Sequence, residues 1–510
     1  MALKQSLIAL GLAGMMAVPG FAAELKVGYS ADALTLDPAN HRNRETETII
    51  RNMFDGLVTR DAQMNVVAEL AEDWTAIDAT TYEFKLRQGV TFHDGSPFTA
   101  ADVKFSLDRI TKENAMGGQT SPRQSLLSEL ADVEVVDDHT VRLKLANPWP
   151  ILPAMLPFQE LVSEAHVAAV GEGAMADAVN GTGPFKLVEW RKGQSVIMER
   201  YDGYYGGASD IAPVGPACVE RVIFQVIPEN ASRVAALLAG EVHIIDKLPA
   251  HMVSQVDANP DTKVMAVNGT RTSYIALNNM EGPFADIRVR KALAHAIDRQ
   301  LVVDKILGGA ATLTNGILSP DAFGKNQNLP AYEYDPEKAK ALLAEAGYAD
   351  GLEVTLDVDG ANKEIAEALS AVAAAGGFRI NVVVGEASML SSRFRTKGEP
   401  IDGQMWLTSW GNGSLDPVGI FVPTHRTADR GNSSGYSNPD VDALLDEANA
   451  ETDRARRAEL YSQAEAIVNQ DLPKVYLWVA QDLYGVSTKV TGWQPSADGR
   501  INLHDACLSE

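Results

Sequence analysis

Leu86-Arg87-Gln88-Gly89-Val90-Thr91-Phe92-His93-Asp94-Gly95-Ser96-Pro97-Phe98-Thr99-Ala100-Ala101-Asp102-Val103 is the stretch on which the reading of this chain turns. It closes an alternating run, Tyr82-Glu83-Phe84-Lys85-Leu86, in which apolar and charged residues take turns as they do in a half-buried strand. Asp94-Gly95 is a turn signal. Thr99-Ala100-Ala101-Asp102 has the form of a capping box, with Thr99 as N-cap and an acidic residue at N3. Val103, Ser106, Leu107 and Ile110 then follow helical spacing. Strand, turn and helix succeed one another.

The same two periods recur on either side. Val141-Arg142-Leu143-Lys144-Leu145 and Leu352-Glu353-Val354-Thr355-Leu356 alternate as strands, and Val222-Ile223-Phe224 is a short apolar strand. Val289, Ala292, Leu293, Ala296 and Ile297 form an apolar helical stripe, with Arg290, Lys291 and Asp298 off it. Asp335-Pro336-Glu337 opens another helix with a cap, a proline at N1 and early negative charge. Gly347 closes it after Ala339, Leu342, Leu343 and Ala346. Asn438-Pro439-Asp440 opens a third, with Val441, Leu444, Leu445 and Ala448 facing inward. The class is α/β. A chain of 510 residues exceeds what one core sustains, about 250–300 residues. No repeat, low-complexity tract or linker divides it, so two lobes are expected, with the chain crossing between them more than once.

The N-terminus reads as a secretory signal: Lys4, an apolar run from Leu7 to Val18, then small residues at Gly20 and Ala22. Cleavage is expected after Ala22. No other segment is long and apolar enough to span a bilayer. The formal net charge of −24 opposes binding to nucleic acid and to anionic lipid, both of which call for Lys and Arg. Cys218 and Cys507, an isolated pair in an oxidising compartment, are expected to be bonded, the alternative being two buried free thiols. A loop of that length restricts the unfolded chain by on the order of 5–6 kcal/mol in the chain-entropy model.

Catalytic signatures are missing from the sequence. No Walker A loop, Gly-x-Ser-x-Gly elbow, His-Glu-x-x-His or paired Cys-x-x-Cys occurs. Gly181-Thr182-Gly183, followed by Pro184, reads as a turn. The nine histidines show no metal-ligand spacing, and His41 and His425 read as surface residues. No metal, no cofactor and no enzymatic activity are expected. A hydrolase with residues distant in sequence, or a periplasmic chaperone, stands as the remote alternative.

The opening stretch resembles the signature of the family 5 extracellular solute-binding proteins, the dipeptide, oligopeptide and nickel receptors of ABC importers. Further blocks follow in that family's order: Leu36-Asp37-Pro38, Met53-Phe54-Asp55-Gly56-Leu57, Asn180-Gly181-Thr182-Gly183-Pro184-Phe185, Pro283-Phe284-Ala285-Asp286-Ile287-Arg288-Val289-Arg290, Tyr334-Asp335-Pro336, Trp410 with Asp416-Pro417, and Tyr436-Ser437-Asn438-Pro439. The resemblance implies a two-lobed periplasmic binding protein (type II, of the large peptide-binding kind) with a ligand cleft between lobes. It places residues 23–270 and 482–510 in lobe I and 271–481 in lobe II. It implies a periplasmic monomer that captures a small molecule for an inner-membrane ABC permease. His93-Asp94-Gly95 and Gly183-Pro184 read as scaffold turns.

In peptide-binding relatives a Trp lines the cleft, and an Asp three residues later pairs with the peptide ammonium. Here the block is Trp410-Gly411-Asn412-Gly413-Ser414-Leu415-Asp416-Pro417, so Gly413 stands where that carboxylate would be. Asp416 reads as fixing the turn with Pro417, or as displaced into the pairing role. The loop carrying Arg42, Asn43 and Arg44 is either a cleft wall suited to a carboxylate, phosphate or polyol or a solvated basic loop. Tyr274 and Trp478 are expected either to line the site or to be core aromatics. The ligand is expected to be a short peptide or peptide-like compound. The alternative is an oligosaccharide, opine-like or other anionic solute, with nickel last.

Overall fold

The computed structural model describes residues 24–61, 63–206 and 215–509; the expected signal segment, residues 1–22, lies outside them. Two long strands, Thr262–Leu277 and Lys474–Ser487, run antiparallel through the middle of an 11-stranded sheet. The longer spans roughly 50 Å at the usual rise per residue. Their pairing runs from Thr262 opposite Ser487 to Asn268 opposite Gln481, breaks, and resumes from Thr272 opposite Val479. Gly269 sits in the break, where a Cβ would come within 2.8 Å of the Ala480 carbonyl. Only glycine allows the backbones to approach so closely.

Each half of this strand pair carries a different lobe. Ile244–Ile245 pairs beside Val486 and Gly485, followed outward by Glu24–Tyr29, Arg221–Val226, Ser195–Arg200 and Phe185–Arg191. Met405–Gly411 pairs with the other half, at Arg271 to Leu277, followed by Leu352–Asp359 and Phe378–Gly385. Alternation sends side chains of the second-lobe strands to opposite faces. Ile275 and Leu277 pack under the stripe Val289, Ala292, Leu293 and Ala296 of helix Ile287–Ala296, with Ala339, Leu343 and Leu369. Tyr274 and Ala276 pack under Val441, Leu445 and Ala448 of Pro439–Ala450, with Leu460 and Ala464 of Arg454–Asp471. Asp335 and Asn438 cap their helices by accepting from Lys338 N and Asp440 N.

Leu86 ends the second strand of a separate four-stranded sheet in the first lobe, Ala71–Asp78, Thr81–Leu86, Thr140–Leu145 and Leu130–Asp137 in order. Helix Ala100–Thr111 covers it, its capping box closed by Thr99 N donating to Asp102. The turn at His93 is scaffold: His93 N donates to Gly181 O, and Asp94 N to Asn180 Oδ1. Gly181 and Gly183 press on the Met53 backbone, where any Cβ would overlap it. Cys218 and Cys507 are disulfide-bonded, with Cα atoms 5.2 Å apart. The bond fastens the last strand, Cys507–Leu508, to the first lobe. Replacing both cysteines by serine is expected to lower unfolding free energy by about 2–5 kcal/mol, read by denaturant titration of the oxidised protein; an unchanged midpoint would show that the cross-link is dispensable.

Candidate functional site

Helix Arg44–Ile50 begins at Asn43, whose side chain accepts from Thr46 N. One turn in, Glu47 is buried between Arg123 (2.9 Å) and Arg500 (3.3 Å). Burial works to raise its pKa, but the two guanidiniums hold it down near 2. Arg51, one turn further, lies 3.4 Å from Glu69 and 3.9 Å from Glu160. Burial, and then Glu47, push Glu160 up to about 8. Arg500 also meets Asp498 at 3.3 Å. This layer is matched internally, cation to carboxylate. His41 belongs to it and is buried, 3.7 Å from Glu47; burial and Arg123 lower its pKa to about 4.

Above this layer, between the lobes, lies a cavity of about 970 Å³. Arg42, Asn43 and Arg44 line it from the first lobe, and Trp410, Gly411 and Gly413 from the second. These six are the expected residues that the fold brings together. Trp410 ends strand Met405–Gly411, and its indole Nε1 donates to Gly419 O at 2.9 Å. Two guanidiniums lie against its ring, that of Arg395 4.8 Å from the centroid and that of Arg430 5.1 Å. Arg271, opposite Gly411 in the sheet, donates to Ser409 Oγ at 3.3 Å. Desolvation by the cleft walls, then Arg44 and Arg395, lower its pKa. Among the described residues nothing lies within 4 Å of where a Cβ on Gly413 would stand. Arg60 of the first lobe donates to Ser414 O at 2.7 Å, joining the lobes beside that glycine.

The other expected residues stand elsewhere. Tyr274 is fully buried and Trp478 is 2 % exposed, one on each face of the second-lobe sheet. Both faces are covered by helices, so neither ring reaches the cleft. Asp416 is bound bidentately by Arg457 at 2.5 and 2.6 Å and accepts from Val418 N, which fixes the turn at Pro417. Asn412 is buried, its N–H donated to Thr270 O, and it lines a second cavity of about 540 Å³. His425, expected at the surface, is fully buried, with Nε2 2.7 Å from the Tyr476 hydroxyl. Arg271, Arg395 and Arg430 were not anticipated; only Arg271, three residues before Tyr274 in the crossing strand, left a trace in the sequence. Among the described residues no group of three or more His, Cys, Asp or Glu is placed to hold a metal ion.

The model of the bacterial extracellular solute-binding proteins, family 5 middle, matches residues 65–432. The glutathione-binding protein GsiB of Escherichia coli (strain K12) is 28% identical over 520 residues, 99% of each chain. HbpA2 from Haemophilus parasuis superposes with a TM-score of 0.87 at 27% identity, covering 96% of this chain and 100% of that one. The periplasmic binding protein DppA from Helicobacter pylori, in complex with the peptide STSA, gives a TM-score of 0.72 at 26% identity, covering 96% and 98%.

Behind the cleft wall, Lys474 is fully buried, donating to Thr424 O at 2.8 Å with its ammonium 5.7 Å from the Tyr274 ring centre. Burial, and then Arg395, push its pKa down to about 7. An unfolded chain binds that proton up to about pH 10.4, so between about 7 and 10 the unfolded state holds more protons and this site's contribution to stability rises with pH. The stability of Lys474→Met relative to wild type is therefore expected to fall steadily from pH 7 to pH 10 in denaturant titrations. A difference that is flat across that range would mean Lys474 stays charged in the folded protein.

Proposed function

The chain belongs to the bacterial extracellular solute-binding proteins of family 5, and from this premise we propose that it holds a short peptide or peptide-like compound between its lobes and passes it to an inner-membrane ABC permease. The observation that carries this reading is the cavity of about 970 Å³ whose walls come from both lobes. Its size suits a small ligand, for which clefts of about 300–1,000 Å³ are usual. GsiB is a glutathione-binding protein and the DppA complex holds a tetrapeptide, and both support a peptide-like solute. The reading includes a periplasmic monomer, with the leader removed after Ala22.

Lobe I, on this reading, takes residues 23–270 and 482–510, and lobe II residues 271–481. The interrupted pairing between Asn268 and Thr272 falls at that division and supports a hinge there. A hinge of two strands lets the lobes close over ligand without breaking either core. Binding occurs without turnover, and Trp410 is an anchor on the lobe II wall.

One small molecule is expected to raise the melting temperature by mass action and to reduce the radius of gyration in small-angle scattering. Trp410→Ala should weaken binding by about 1–3 kcal/mol. Trp74→Ala, in the small first-lobe sheet, should leave the affinity of the folded fraction unchanged. Recovery of chemically altered ligand after incubation would replace this reading with an enzymatic one.

A further inference from the structure

The chain carries 68 acidic and 44 basic residues, so a place where arginines gather without acids stands against the composition. The cleft is such a place. Its two carboxylates, Glu47 and Asp498, are committed to Arg123 and Arg500. Arg44 has Asp482 at 3.6 Å. Four further cleft arginines form no ion pair among the described residues. Arg42 donates to the Ser125 hydroxyl, Arg271 to that of Ser409 and Arg395 to that of Ser391. Arg430 stacks on Trp410. The Arg395 Nε is buried with no hydrogen-bond partner.

Like charges repel, and a hydroxyl does not neutralise a guanidinium. Arg42, Arg271 and Arg430 are exposed and keep their hydration, so their charge is free to meet an anion, and the planar fork of Arg matches a carboxylate bidentately. The charges lie on both walls: Arg42 on the first lobe, and Arg271, Arg395 and Arg430 on the second. Among the described residues no uncommitted carboxylate faces the cavity, and a Cβ on Gly413 would meet only open space. A ligand ammonium therefore finds no ionic partner, while anions find partners on either side.

We propose that the solute is a peptide-like compound with at least two carboxylates, one held by Arg271, Arg395 and Arg430 and the other by Arg42. This rests on the reading that the cleft is the binding site. A ligand so charged draws the two walls together, which couples recognition to closure.

The test is retention from an equimolar pool of triglutamate, N-acetyltriglutamate, triglutamine amide, trilysine, maltotriose and glucose 6-phosphate, read by native mass spectrometry, with calorimetry of the retained compounds. The two glutamate peptides should be retained, N-acetylation changing affinity by less than about threefold and removal of the carboxylates by roughly thirtyfold or more. Arg271→Gln and Arg395→Gln should each weaken binding roughly tenfold or more, and Gly413→Asp similarly. Arg393→Gln, in the last turn of the helix that Arg395 caps but paired with Asp357 at 2.9 Å, should leave affinity unchanged. Preferential retention of trilysine, triglutamine amide, maltotriose or the phosphate ester would overturn the dicarboxylate assignment and leave the receptor reading intact. Loss of binding on N-acetylation alone would also overturn it. Retention of nothing would overturn both.

Discussion

The antiparallel pairing of Thr262–Leu277 with Lys474–Ser487 is the constraint on which the rest of the molecule depends. Backbone hydrogen bonds along both strands bind the halves of the sheet into one object. The interruption beyond Asn268 leaves a short length in which twist can change without loss of either ladder. Rigid packing above and below and a yielding segment between them follow from a single register. The lobes do not need a linker, because the strands that join them are the middle strands of the sheet.

Charge is distributed with the same division of labour. Beneath the cleft, Arg51, Arg123 and Arg500 meet Glu47, Glu69, Glu160 and Asp498 at short range. Burial of any one of these alone would be expensive, and each is made tolerable by its partners. Four arginines of the cleft above, Arg42, Arg271, Arg395 and Arg430, have no such closure among the described residues: they rest on hydroxyls and indole faces. A protein of strongly negative charge thus presents a positive concavity, which focuses small anions toward it at long range.

Much of the scaffold was legible in the sequence because local rules write it. The stripe at Val289, Ala292, Leu293 and Ala296, the caps at Asp335 and Asn438, and the box at Thr99 to Asp102 are each set by residues within a turn or two of one another. The cleft was legible only where a block signature ran through it, at Trp410 and Gly413, and where a basic triplet stood out, at Arg42 to Arg44. Arg395 and Arg430 escaped because nothing local marks them; they meet only through the indole of Trp410. Tyr274 and Trp478 illustrate the converse. Their positions in the crossing strands brought them near the site in sequence, but the covering helices on both faces took them into the core. The scattered histidines, with no metal-ligand spacing among them, make His41 and His425 read as surface residues; a buried ion layer and a buried Tyr476 claim them instead.

The place of Lys474–Ser487 in the strand order bears on how the molecule is made. It lies between Thr262–Leu277 and Ile244–Ile245, yet it is synthesised after both by some two hundred residues. Until it arrives, the sheet exists as two pieces, each with an open edge where the missing strand belongs. Neither piece can join the other, so the sheet of a nascent chain stays unfinished until Lys474–Ser487 has left the ribosome. The same order makes Lys474–Ser487 indispensable: a chain cut before Lys474 lacks the joint and exposes two strand edges to any neighbouring chain that can pair with them.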